Sequence, residues 1–140
     1  MASQFEPHSR PTLLRQIFAF GLVGVFGFVV DASTLYLARW LGLGLFVGRI
    51  VSYMTAVTTT WALNRHFTFS GQSNRVVLHE WFLFMLSQLS GAAFNLGIYW
   101  WLVASSTRVA SEPVIGVAAG SLAGMAVNFL VARKFVFKEV

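Results

Sequence analysis

Apolar residues run through this chain in four long stretches, at about 16–38, 46–65, 81–103 and 113–132, with short polar breaks between them. Each is near the roughly 20 residues that a helix needs to cross the hydrocarbon of a bilayer. The pattern predicts an all-α membrane protein: a transmembrane domain over residues 16–140 with four transmembrane helices, preceded by a cytoplasmic tail at 1–15. Neither the tail nor the segment from His66 to Glu80 is long enough to bury a core of its own. Composition agrees, since 56% of the 140 residues are apolar and 11% charged, more apolar surface than one water-soluble core of this size would hide. With no cysteine, there is neither a disulfide framework nor a thiolate metal site.

The net charge of +5 would point toward nucleic acid in a soluble protein. Here the bases follow membrane topology, and no nucleic-acid partner is expected. Arg10, Arg15, Arg65, Arg75, Arg133, Lys134 and Lys138 fall on one side of the four spans, and Arg39, Arg49 and Arg108 on the other. By the positive-inside rule both termini are cytoplasmic. Tryptophan favours the headgroup level, and Trp40, Trp100 and Trp101 fall at the outer edge, Trp61 and Trp81 at the inner. Arg15 followed by the apolar run to Val30 also has the look of a cleavable signal peptide. The internal counterpart of that first span argues against cleavage.

The counterpart emerges when the chain is slid on itself. At an offset of 64, Phe18, Phe20, Gly27 and Asp31 fall on Phe82, Phe84, Gly91 and Asn95; at 68, Arg65-His66-Phe67-Thr68-Phe69 falls on Arg133-Lys134-Phe135-Val136-Phe137. The chain is thus two repeated helical hairpins. Two spans per unit give both copies the same orientation, a parallel repeat about an axis along the membrane normal. The second helix of each unit carries a small or polar stripe at every fourth residue: Ser52, Ala56, Thr60 and Asn64, then Gly120, Gly124, Asn128 and Ala132, the latter extending back to Gly116. Residues four apart share a helical face, and small residues there let helix backbones meet in lipid.

Polar residues within the spans need a partner or a purpose, because an Asp at mid-span costs on the order of 2.5–3.5 kcal/mol on insertion scales. Arg49 is the candidate partner for Asp31. In the second repeat their equivalents are Asn95 and Val117, so both charges are present in one unit and absent from the other, as a compensating pair would leave them. The pair either locks the first hairpin or meets a polar substrate. Toward the cytoplasmic side, Asn64 and Asn128 lie near Arg65, Arg133 and Lys134, amides and bases suited to an anionic lipid head. Terminal bases also snorkel simply to satisfy topology; it is their repetition with Asn and aromatics that points to binding. No phosphate-binding glycine loop, metal-ligand motif or pair of spaced carboxylates is present, and His8, His66 and His79 are scattered. No enzymatic activity, cofactor or metal is expected.

Asn64-Arg65-His66-Phe67-Thr68-Phe69, Asn128-Phe129, Arg133-Lys134-Phe135-Val136-Phe137, and Val30-Asp31 after Gly21, Gly24 and Gly27 resemble the GtrA-like membrane proteins. These are small four-helix proteins associated with polyprenyl-phosphate-linked sugars in cell-envelope glycosylation. The resemblance runs from about Leu14 to Phe137, and departs where Glu80 precedes Trp81 and Phe82 in place of a base. It implies a flippase of the bacterial cytoplasmic (inner) membrane that moves a polyprenyl-phosphate monosaccharide outward. Arg65, Arg133 and Lys134 would then capture the phosphate, Asn64 and Asn128 the sugar hydroxyls, and Asp31, Asn95 and Arg49 would receive the head farther out. A single four-helix unit has little interior room, so a homo-oligomer is expected. The competing expectation is a non-transporting scaffold for a membrane glycosyltransferase. A small multidrug exporter fits less well, because Glu80 and Glu112 sit at span ends.

Overall fold

A computed structural model describes residues 11–71 and 73–138; His8, Arg10 and most of the expected tail lie outside them. Among the described residues the chain is all-helical: α1 (Leu13–Trp40), α2 (Leu45–Leu63), α3 (Val77–Ser105), a short α4 (Thr107–Ser111) and α5 (Pro113–Val131). A π-helical turn continues α2 over Asn64–Thr68, and another continues α5 over Ala132–Val136. Local chemistry sets the ends. Thr12 caps α1 by accepting from the Arg15 N–H, Gly42 takes φ +85° just past its end, Ser106 caps α4, and Pro113 opens α5 where no N–H partner is needed.

Helices over Leu13–Trp40, Val77–Ser105 and Ile115–Val136 are long and apolar enough to cross a membrane. The chain is a multi-pass membrane protein. Its surface is accordingly apolar, with Phe18, Phe28, Trp40, Trp100 and Trp101 all turned outward. α2, expected as a fourth span, has 19 residues, about 28 Å of helix, but Arg49, Ser52 and the threonines at 55 and 58–60 make it less apolar than the others. Several of those groups are satisfied internally: the hydroxyls of Thr55, Thr59 and Thr60 donate to carbonyls a turn back.

The sequence repeat is a structural one. Offsets of 64 and 68 bring Leu13 onto Val77, Leu45 onto Pro113, Leu63 onto Val131, and the first π turn onto the second. The extra residues in the second hairpin are taken up by α4, which the apolar pattern did not foresee. α1 pairs antiparallel with α2 and α3 with α5, while helix-to-helix contact between the two pairs is sparse.

Small residues set the distance within each pair. A Cβ on Gly124 would sit 2.7 Å from the Gly91 carbonyl oxygen, so α5 and α3 touch backbone to backbone along the predicted glycine stripe. In the first hairpin Gly27 makes room for Thr60, as Gly91 in the second makes room for Asn128. The hairpins meet through an aromatic cluster at the π-turn end. Phe69 and Phe137, each the residue after a π turn and repeat-equivalent, stack with ring centroids 4.6 Å apart. Phe20 packs edge-on to Phe69 at 6.2 Å and its equivalent Phe84 edge-on to Phe137 at 5.9 Å. The wide turn, closed by Phe69 N–H donating to the Asn64 carbonyl and by Phe137 N–H donating to that of Ala132, turns these rings inward.

Candidate functional site

Above the aromatic cluster the hairpins diverge and leave a crevice of about 500 Å³, walled by α1, α2, α3 and α5. Nearest the aromatic cluster are Phe20 and Asn64. Farther along are Gly24 and Gln88, then Gly27, Thr60, Gly91 and Asn128, and at the far end Asp31, Arg49, Asn95 and Ser121. From Phe20 to Asp31 the α1 wall spans about 16 Å, roughly half the hydrocarbon thickness.

Asp31 and Arg49 form the expected ion pair. One guanidinium nitrogen, Nη1, donates to both carboxylate oxygens at 2.7 and 2.6 Å and lies 3.4 Å from the Ser52 hydroxyl. The Asp31 side chain is 20% exposed and that of Arg49 55% exposed, so the acid is held against the helices while the base reaches outward. At the other end of the crevice Asn64 is buried and its Oδ1 accepts from the Thr68 hydroxyl at 2.8 Å. The Asn128 Nδ2 donates to Gln88 Oε1 at 2.9 Å. Its Oδ1 is buried in the space left by Gly91, with no protein donor. An unmet buried acceptor of this kind costs about 1–3 kcal/mol.

The structure therefore brings Asp31, Arg49, Asn64, Asn95 and Asn128 to one crevice. Arg65, Arg133 and Lys134, expected to grip a phosphate beside them, are not among its lining residues. Arg65 of the first hairpin crosses to the start of α3 and pairs with Glu80 at 2.8 Å. Glu80 is fully buried and also accepts from the Trp61 indole N–H at 3.0 Å. Arg133 of the second hairpin crosses to the start of α1, where its Nε donates to the buried Gln16 Oε1 at 3.0 Å. Lys134 is exposed, its ammonium 5.4 Å from the centre of the Phe135 ring.

These two arginine contacts are repeat-equivalent, for Glu80 lies 64 residues after Gln16 and Arg133 lies 68 after Arg65. Each ties one hairpin's π turn to the other hairpin's first helix, beside the stacked phenylalanines. Together they close the crevice at that end. Apolar patterning alone assigns no role to Gln16 and makes Glu80 a span-end acid. The repeat itself carried the signal, since extending the 64 register from Phe18 and Phe82 back by two residues aligns Gln16 with Glu80. Trp81, expected only as a headgroup-level anchor, also reaches across, its indole N–H donating to the Thr58 hydroxyl at 3.1 Å. Among the described residues no cluster of three or more His, Cys, Asp or Glu side chains forms a metal-binding group.

Two parallel helical hairpins around a partly enclosed crevice, largely apolar but set with amides and one ion pair, define a helical multi-pass membrane protein. Residues 19–138 match the family model of the GtrA/DPMS transmembrane domain, and the chain belongs to that family. Membership gives the coarse function, a membrane role connected with lipid-linked sugars. No curated protein matches the chain at a significant level of similarity.

Proposed function

We propose that this protein is a non-catalytic carrier that moves a polyprenyl-phosphate-linked monosaccharide from the cytoplasmic to the outer leaflet of the bacterial inner membrane, for cell-envelope polysaccharide glycosylation. In this reading all four long helices span, both termini are cytoplasmic and the π turns mark the cytoplasmic end. The observation that carries it is the crevice between the hairpins, with amides on both walls and an ion pair at its far end. A lipid-linked sugar presents one difficulty, the transfer of phosphate and hydroxyls through a layer without water, while its isoprenoid tail stays in lipid. Asn64, Gln88, Asn95 and Asn128 offer replacement hydrogen bonds along that route. Closure at the π-turn end, with the polar residues above it, is the arrangement of a carrier facing outward. Arg65, Arg133 and Lys134 would meet the phosphate only in a state where the cross-hairpin contacts open.

Leaflet exchange tests the proposal. Purified protein in vesicles carrying a fluorescent polyprenyl-phosphate monosaccharide should speed its appearance in the other leaflet above the rate in protein-free vesicles. An unchanged rate would overturn the carrier reading. One observation favours the scaffold alternative: the repeat-equivalent Phe67 and Phe135 stand exposed on the two π turns, a paired surface for a glycosyltransferase. A scaffold predicts that capture of the transferase survives changes at Asp31 and Asn128 and is lost on altering the segment from His66 to Glu80.

A further inference from the structure

The Asp31–Arg49 pair is a wall with two sides. One faces the crevice, and the other faces a separate groove of about 350 Å³ along the end of α1, lined by Phe28, Leu35, Tyr36 and Arg39. Phe28, Asp31 and Arg49 line both spaces. We infer that this groove is a second anion site, which holds the phosphate and first isoprene units of a polyprenyl lipid after the head has passed the ion pair.

Three features carry the inference, which rests on the carrier reading above. The groove contains two arginines and one carboxylate, leaving one positive charge, whereas the crevice holds one of each and otherwise neutral amides. A phosphate is therefore favoured in the groove over the crevice, and a bidentate guanidinium suits it. Arg49 uses only Nη1 on Asp31, and its side chain is more than half exposed, so the rest of the guanidinium is accessible from the groove. Finally, the site belongs to one hairpin alone: the repeat equivalents of Tyr36, Arg39 and Arg49 are Trp100, Val103 and Val117. Phe28, Ala32 and Leu35 give a prenyl chain an apolar bed, which a free phosphate would not use.

The chain has no cysteine, so a single Tyr36→Cys supplies a clean reporter at an exposed edge of the groove. In detergent micelles the rate of its reaction with a fluorescent maleimide is followed with farnesyl phosphate, farnesol or inorganic phosphate added. Farnesyl phosphate at ten times its dissociation constant should slow labelling roughly tenfold. Farnesol and inorganic phosphate should leave the rate unchanged, and Arg39→Gln should remove the protection while Arg39→Lys keeps most of it. Equal protection by farnesol makes the groove merely apolar, and equal protection by inorganic phosphate makes it a free-anion site; either overturns the proposal. Leaflet exchange by the unmodified protein without protection at position 36 sinks the groove alone. Protection without leaflet exchange sinks the carrier reading and leaves the groove as a lipid-phosphate site.

Discussion

Glu80→Gln and Glu80→Ala should behave differently, and the difference can be worked out from the other half of the molecule. The carboxylate is fully buried and serves Arg65 at 2.8 Å and the Trp61 indole at 3.0 Å. Glutamine at this position reproduces what Gln16 already does for Arg133. It keeps an acceptor and loses only charge assistance, about 1 kcal/mol. Alanine strands the part-buried Trp61 indole N–H and takes the counter-ion from Arg65, about 1–3 kcal/mol for each group. Arg65 is a third exposed and can rehydrate, so the full 3–5 kcal/mol of a sealed ion pair is too high, and about 3 kcal/mol is expected. With roughly 3 °C per kcal/mol for a domain of this size, thermal unfolding in detergent should fall by about 3 °C for glutamine and about 9 °C for alanine. Indole fluorescence, to which Trp61 contributes, follows the transition. Equal losses from the two variants would refute the equivalence of the two cross-hairpin contacts.

Gln16→Glu should be tolerated, with the melting temperature unchanged or raised, because Arg133 is already in place to pair with it; a loss of several degrees in the same melt would contradict this. Asp31→Asn alone leaves Arg49 without its counter-ion and should reduce leaflet exchange and stability more than Asp31→Asn with Arg49→Gln, measured side by side; equal damage would argue against pairing. Gly124→Ala should cost at least 1–3 kcal/mol on an order-of-magnitude scale, because its methyl meets the Gly91 carbonyl, whereas Gly97→Ala, with nothing within 4 Å, should melt like the parent.

The architecture was legible because lipid imposes simple rules on sequence. Span length and small-residue spacing marked the helices and the α3–α5 contact, and the presence of Asp31 and Arg49 in only one repeat marked their pairing. Gly27 and Gly91 were matched as equivalents before their shared task, making room for Thr60 and Asn128, was visible. What escaped was the direction in which charged ends turn. Arg65 and Arg133 sit where snorkelling bases normally sit, and nothing in their spacing told that a π turn follows Leu63 and Val131. Those turns place Phe69 and Phe137 face to face, a contact between residues of different hairpins that local spacing does not encode. α1 begins at Leu13 and α3 at Val77, several residues before the apolar runs, because Gln16 and Glu80 are polar residues buried by partners from the opposite hairpin.

The central claim is that the sugar head passes through the crevice, and blocking that space is its most direct test. Gly24 lines the crevice, and a Cβ built there meets nothing within 4 Å, so Gly24→Trp sets an indole into the passage from a position where the backbone has room for a side chain. Gly21, on the same helix, has equal space but does not line it. In the vesicle assay Gly24→Trp should reduce exchange of the polyprenyl-phosphate sugar to the protein-free rate, while Gly21→Trp exchanges as the parent does. Exchange at the parental rate by folded Gly24→Trp protein would contradict the account.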